Sequence, residues 1–132
     1  MLSEREQSWI EDARTELTAA ELVADGGLAN IAIYHARQAI EKLLKAGYPI
    51  MRARPMPHEH SLQGMVHGVF GRIPEEIWEI IKRLNPFYMS TRYVDAAGGP
   101  PSERFDADDA SEAIAMAKEA FAWIETQYRA KS

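Results

Sequence analysis

The sequence predicts an all-α protein: an up-and-down four-helix bundle with an additional short helix. Apolar residues recur at steps of three and four in each long segment, which places them on one face of a helix. Helix start and stop signals bracket those segments. No stretch shows strand-type alternation of convincing length. With 132 residues, 46% hydrophobic and 27% charged, the chain is sized for a single domain (1–132) with one core, and its composition excludes disorder.

Ser3 followed by Glu6 is a capping box, so the first helix starts there. Trp9, Ala13, Leu17, Ala20 and Ala24 form its apolar stripe, and Asp25-Gly26-Gly27 ends it. The second helix is expected from Leu28 to Ala46, with Gly47 and Pro49 as its stop signal. Ala32, Ala36, Ala39, Ile40 and Leu43 make its apolar half, small enough for close helix approach. Ile31, His35, Gln38, Lys42 and Lys45 step along the other side, as a solvated face, a dimer surface or the wall of a cleft.

Pro49, Pro55 and Pro57 make residues 48–60 a loop. Ser61 caps a short third helix carrying Leu62, Met65, Val66, Val69 and Phe70; Gly64 and Gly68 each weaken it by about 1 kcal/mol relative to alanine. Pro74, Glu75 and Glu76 open a fourth helix with Ile77, Ile81 and Leu84 inward, and Pro86 ends it near Asn85. Residues 87–93 follow as an offset turn. Ala96 to Ser102 reads as a long, weakly ordered connection. Asp106 then caps the last helix, whose inner side holds Ala110, Ala113, Ile114, Ala117, Ala120, Phe121, Ile124 and Tyr128.

The absence of cysteine removes disulfides, thiolate nucleophiles and cysteine-ligated zinc, and suits a reducing compartment. A net charge of -5 argues against gripping nucleic acid through bulk positive potential, leaving a local basic cleft. No apolar run reaches the ~18 residues of a membrane span, and the charged N-terminus lacks a signal peptide's apolar core. These features read as a cytoplasmic protein.

Three motifs carry a family resemblance. Tyr34-His35-Ala36-Arg37-Gln38-Ala39-Ile40-Glu41-Lys42-Leu43-Leu44-Lys45-Ala46 resembles the second-helix signature of HEPN domains (higher eukaryotes and prokaryotes nucleotide-binding). His60-Ser61-Leu62 is similar to that family's His-[Asp/Ser]-Leu turn, and Phe87 to Asp95 to its Tyr-x-x-x-Arg-Tyr-Pro-Asp motif, with Val94 in place of proline. The resemblance implies a helical homodimer, often paired with a small nucleotidyltransferase in a toxin-antitoxin-like system. It also implies either nucleotide or RNA binding or, in toxin members, metal-independent RNA cleavage by an Arg-x(4-6)-His pair near the start of the last helix. No histidine follows His67, so that pair has no counterpart here.

The nucleotide or RNA contacts expected on this basis are Arg92, Tyr93, Asp95, Tyr88, His60, His35, Gln38 and Lys42, with no catalytic residue assigned. An arginine fork suits phosphate oxygens, tyrosine offers a stacking face, and a carboxylate accepts from ribose or base donors. The alternative is architectural, with Arg92 paired to Asp95 and the tyrosines packed under the loop. His58, His60 and His67 lie close in sequence and His58-x-His60 is a candidate ligand pair, but no clear third ligand stands at fixed spacing, so no metal or other cofactor is expected. Arg52 and Arg54 formally match Arg-x5-His with His58 and His60, but in a proline-broken loop that does not fix their orientation.

Overall fold

The computed structural model describes residues 1–92 and 99–131, and of Met89 and Ser90 the backbone only. Every regular element among them is helical. The helices are α1 (Glu4–Asp25), α2 (Ala29–Arg52), α3 (Leu62–Val69), α4 (Glu75–Leu84), α5 (Phe87–Ser90), α6 (Pro101–Arg104) and α7 (Ala107–Lys131). None is long and apolar enough to cross a membrane.

Local signals set the ends. Ser3 N–H donates to Glu6 Oε1 at 2.8 Å and Glu6 N–H to Ser3 Oγ at 3.1 Å, the reciprocal bonds of a capping box. Asp106 and Asp109 repeat that exchange at the start of α7. After α1 the chain turns through Gly27, whose φ of 82° is the left-handed conformation glycine adopts freely. Only 26–28 separate α1 from α2, so the two run antiparallel.

The inner faces follow the apolar periodicity. Ala13, Leu17 and Ala20 of α1, Ala32, Ala36, Ala39, Ile40 and Leu43 of α2, and all eight inner residues of α7 are buried. Ile10, rather than Trp9, anchors the start of the α1 stripe. Ion pairs then register the long helices from outside: Arg14 of α1 meets Glu125 of α7 at 2.7 Å, and Lys118 meets Glu21 at 3.1 Å.

The end of α2 corrects the sequence reading. The helix does not stop at Ala46 but continues through Gly47 and Pro49 to Arg52. Gly47 is a spacer: a Cβ there would stand 2.6 Å from Val69 Cγ1 and closer still to the Tyr128 hydroxyl. That hydroxyl donates to the Leu43 carbonyl at 2.6 Å, and burial pushes the phenol well above its ordinary pKa. Pro49 takes up the backbone angle a helix needs at the cost of one donor, since its ring fixes φ. The helix closes where Ala53 adopts φ 54°, with the N–H groups of Ala53 and Arg54 both on the Tyr48 carbonyl. Arg52 Nε then donates to the Val69 carbonyl at 2.8 Å, fixing the end of α3.

The connection before α7 is also more regular than its composition suggests. Pro101 opens the helical turn α6, where a proline's missing N–H costs nothing. Residues 96–98 of that connection lie outside the described residues.

Gly47→Ala is expected to lower the unfolding free energy by about 1–3 kcal/mol, the usual cost of overpacking a filled interior. Urea midpoints check it; an unchanged midpoint would show that Val69 and Tyr128 yield freely.

Candidate functional site

Two charged residues break the apolar side of α2. Arg37 and Glu41, one helical turn apart, are 1% and 2% exposed. Burying such charges is costly unless each finds partners, and here both do. Arg37 Nη1 meets Glu41 Oε1 at 2.6 Å. Its Nε donates to the Asn85 carbonyl at 2.9 Å, while Nη2 donates to the His60 carbonyl and to Asn85 Oδ1 at 3.3 Å. One guanidinium therefore holds the start of α3 and the end of α4 against α2.

Glu41 uses its second oxygen for Lys45 Nζ at 3.1 Å and His60 Nδ1 at 3.2 Å. Burial pushes its carboxyl up, but hydrogen bonds and charge from Arg37 and Lys45 outweigh that and leave it below the ordinary carboxylate value. Asn85 completes the frame: Oδ1 accepts the Leu62 N–H at 2.8 Å and Nδ2 donates to Gln63 at 3.2 Å.

Pro86 ends α4 and starts the offset turn α5, which sets Tyr88 over this frame. The Tyr88 ring stacks on His60 with centroids 4.5 Å apart and planes 19° apart. Arg37 Cζ lies 5.2 Å from the Tyr88 centroid and Arg92 Cζ 5.0 Å from it. Arg92 also sits over Tyr34, at 5.2 Å. Asn30 of α2 donates to the Thr91 carbonyl at 3.2 Å, and the Thr91 hydroxyl turns back to the Phe87 carbonyl. The surface so formed presents the exposed Arg92 and the His60 ring, whose side chain is 55% exposed, each against Tyr88.

Of the residues singled out in the sequence, His60, Tyr88 and Arg92 thus come together. His35 and Lys42 stand apart on the α1–α2 seam: His35 Nδ1 lies 2.6 Å from Glu16, and Lys42 pairs with Glu16 at 3.0 Å and Asp12 at 3.2 Å. Gln38 is half-buried on the same stripe. Tyr93 and Asp95 lie outside the described residues. Arg52 is committed to Val69, away from an Arg-x5-His pairing. Among the described residues no three histidine or acidic side chains are grouped to hold a metal ion.

The frame itself is what sequence reasoning passed over. Ile33, Arg37 and Glu41 follow at four-residue steps within the apolar half of α2, so a charge pair on a buried stripe was the available signal.

The HEPN domain profile matches residues 6–127. The chain belongs to the HEPN family. TT1696 from Thermus thermophilus is similar in structure, with a TM-score of 0.82 and 30% identity over 94% of this chain and 98% of that one. ST0689, an archaeal HEPN homologue, shares the fold at a TM-score of 0.78 and 24% identity, over 96% and 99% of the two chains. No match was found among curated proteins. In this HEPN domain the second-helix signature therefore supplies the buried Arg37–Glu41 pair, the His-Ser-Leu turn supplies His60, and the Tyr-x-x-x-Arg segment supplies Tyr88 and Arg92.

Arg37→Met is expected to cost about 3–5 kcal/mol, because it strands a buried carboxylate, and Arg37→Met with Glu41→Leu to recover much of it. Glu41's depressed pKa contributes stability that is present above its ordinary value near 4.5 and lost as pH falls through the folded value. The double variant should therefore show a flatter acid limb than wild type. Urea midpoints across that range check both; equal acid limbs would remove Glu41 from the account.

Proposed function

We propose that this HEPN protein, a single helical domain over residues 1–132, is a cytoplasmic nucleotide- or RNA-binding and interaction module. On this reading it acts as a homodimer beside a minimal nucleotidyltransferase partner, in a toxin-antitoxin-like system. The observation that carries the binding reading is the Arg92–Tyr88–His60 assembly, in which an exposed guanidinium stands beside a stacked pair of rings. The outer face of His60 offers a base a stacking surface, and the Arg92 fork suits the phosphate attached to it. Arg37 and Glu41 act beneath as positioning residues. Tyr93 and Asp95, outside the described residues, are proposed from the sequence motif as further ligand contacts. Gln38, His35 and Lys42 are proposed as a separate set of contacts on the α1–α2 seam, where Lys42 exchanges its bonds to Asp12 and Glu16 for phosphate when ligand arrives.

The second reading is a metal-independent endoribonuclease, favoured by the His60–Glu41 contact of 3.2 Å. A carboxylate on Nδ1 orients an imidazole whose other nitrogen takes the proton of a ribose 2′-hydroxyl. That oxygen then bonds to the neighbouring phosphorus to give a 2′,3′-cyclic phosphate, the P–O5′ bond breaks and the departing 5′-oxygen takes a proton from solvent, with Arg92 on the phosphate charge.

Thermal shift with a panel of nucleotides and short RNAs tests the binding reading. A ligand at ~100 times its dissociation constant should stabilise the fold by about 2.7 kcal/mol. Arg92→Ala should lower the unliganded melting temperature by the loss of its contacts with Tyr34 and Tyr88, and should abolish most of the ligand-induced shift measured from that lower baseline; a panel with no stabilising ligand sinks the proposal. Cleavage of total RNA by wild type and not by His60→Ala would instead establish the nuclease. A single-chain mass by light scattering at micromolar concentration would refute the homodimer, and failure of a co-expressed neighbouring nucleotidyltransferase to copurify would refute the pairing.

A further inference from the structure

A second aromatic surface lies at the far end of the α3–α4 seam. α3 and α4 run antiparallel, with Gln63 against Asn85 at one end and His67 against Trp78 at the other. His67 and Trp78 have ring centroids 5.5 Å apart, inclined by 60°, and flank a groove of about 430 Å³ completed by Gly71, Arg72, Ile73 and Glu75. That size falls within the range of small-molecule sites. Trp78 packs against the edge of the core and is only half-buried, while Ile77, Ile80, Ile81 and Leu84 make the core face of α4, so part of its indole faces the groove. Among the described residues Arg72 forms no ion pair.

The chemistry of this groove repeats that of the first surface: a histidine beside a larger ring, and an arginine at the rim. His60 precedes α3 and is tied to the Asn85 end of the seam through Arg37, while Gln63 and His67 follow one helical turn apart on α3 itself. Along α4, Trp78 and the capping residue Asn85 are separated by about 10 Å at a helical rise, or roughly three nucleotide steps at ~3.4 Å each. α3 itself carries no acidic residue; the carboxylates near the seam are Glu59, which lies against Gly64, and those of α4, which a strand must pass with its bases rather than its phosphates. Glu75, at the groove's edge, is a carboxylate that accepts from a base's amino group.

We propose that the α3–α4 seam is the bed of a short single-stranded RNA, with His67 and Trp78 as a second base platform and Arg72 on its phosphate. This rests on the Arg92–Tyr88–His60 reading and deepens it: the ligand is an oligonucleotide spanning two platforms, not a mononucleotide on one. A sequence-tolerant strand binder is built in this way, from rings that stack on any base and cations that follow the backbone.

Binding of adenosine monophosphate and of an adenylate tetramer, measured by calorimetry, tests the span. The tetramer should bind at least tenfold more tightly, and Trp78→Ala should remove that gain while leaving the mononucleotide unaffected. Trp78→Phe, which keeps a ring, should retain most of it and guards against a folding defect. In a Trp9→Phe, Trp123→Phe background the remaining Trp78 fluorescence should be quenched by tetramer and not by monophosphate. Equal affinity for both ligands, with binding still lost in Arg92→Ala, would overturn the second platform and leave the first. Tetramer binding indifferent to Arg92→Ala would overturn the first surface and the span together. No quenching by any oligonucleotide would refute the proposal.

Discussion

The buried contact between Arg37 and Glu41 is the constraint on which the rest of this bundle depends. An ion pair removed from water is weak evidence of stability by itself, since desolvation offsets most of the attraction. Its importance here lies in what the guanidinium does with its remaining donors. They reach the carbonyls of His60 and Asn85, one at the end of a loop and the other at the end of a helix, where carbonyls lack the regular partners of a helix interior. The charge is thereby a clamp on three helices, and its exclusion from solvent gives those hydrogen bonds their strength.

What lies above the clamp follows from it. Asn85 is held on its backbone and its side chain at once, so the chain leaving α4 at Pro86 has a fixed point of departure. Tyr88 is then placed over His60 and within about 5 Å of two guanidinium groups. A surface for recognition is more accurate when its side chains are set by a supporting layer of hydrogen bonds than when they are borne by a free loop. The HEPN motifs are thus spread widely in sequence yet adjacent in space.

The fold was legible because it is written in period and caps. Ser3 and Glu6, the alanine-rich stripe of α7 and the small-residue face of α2 each give one answer under local rules. The reading failed at Gly47, where tertiary packing by Val69 and Tyr128 decides and a glycine means closeness rather than a stop. The site was legible in half. Arg92, Tyr88 and His60 announce themselves as exposed chemistry among apolar neighbours, but His35 and Lys42 are spent on carboxylates of α1 that no local rule brings opposite them. Arg37 hid for the opposite reason: a buried charge looks like surface until its partners, up to 48 residues away, are known.

That separation has a consequence for the order of events during synthesis. α1 and α2 are joined by three residues and can pair as soon as both have left the ribosome, since a short closure costs little entropy. Arg37 must wait until the chain has grown to Asn85. A nascent chain ending before α4 therefore keeps a charged pair solvated on what will become an interior face, and its hairpin cannot bury that face prematurely against the wrong partner.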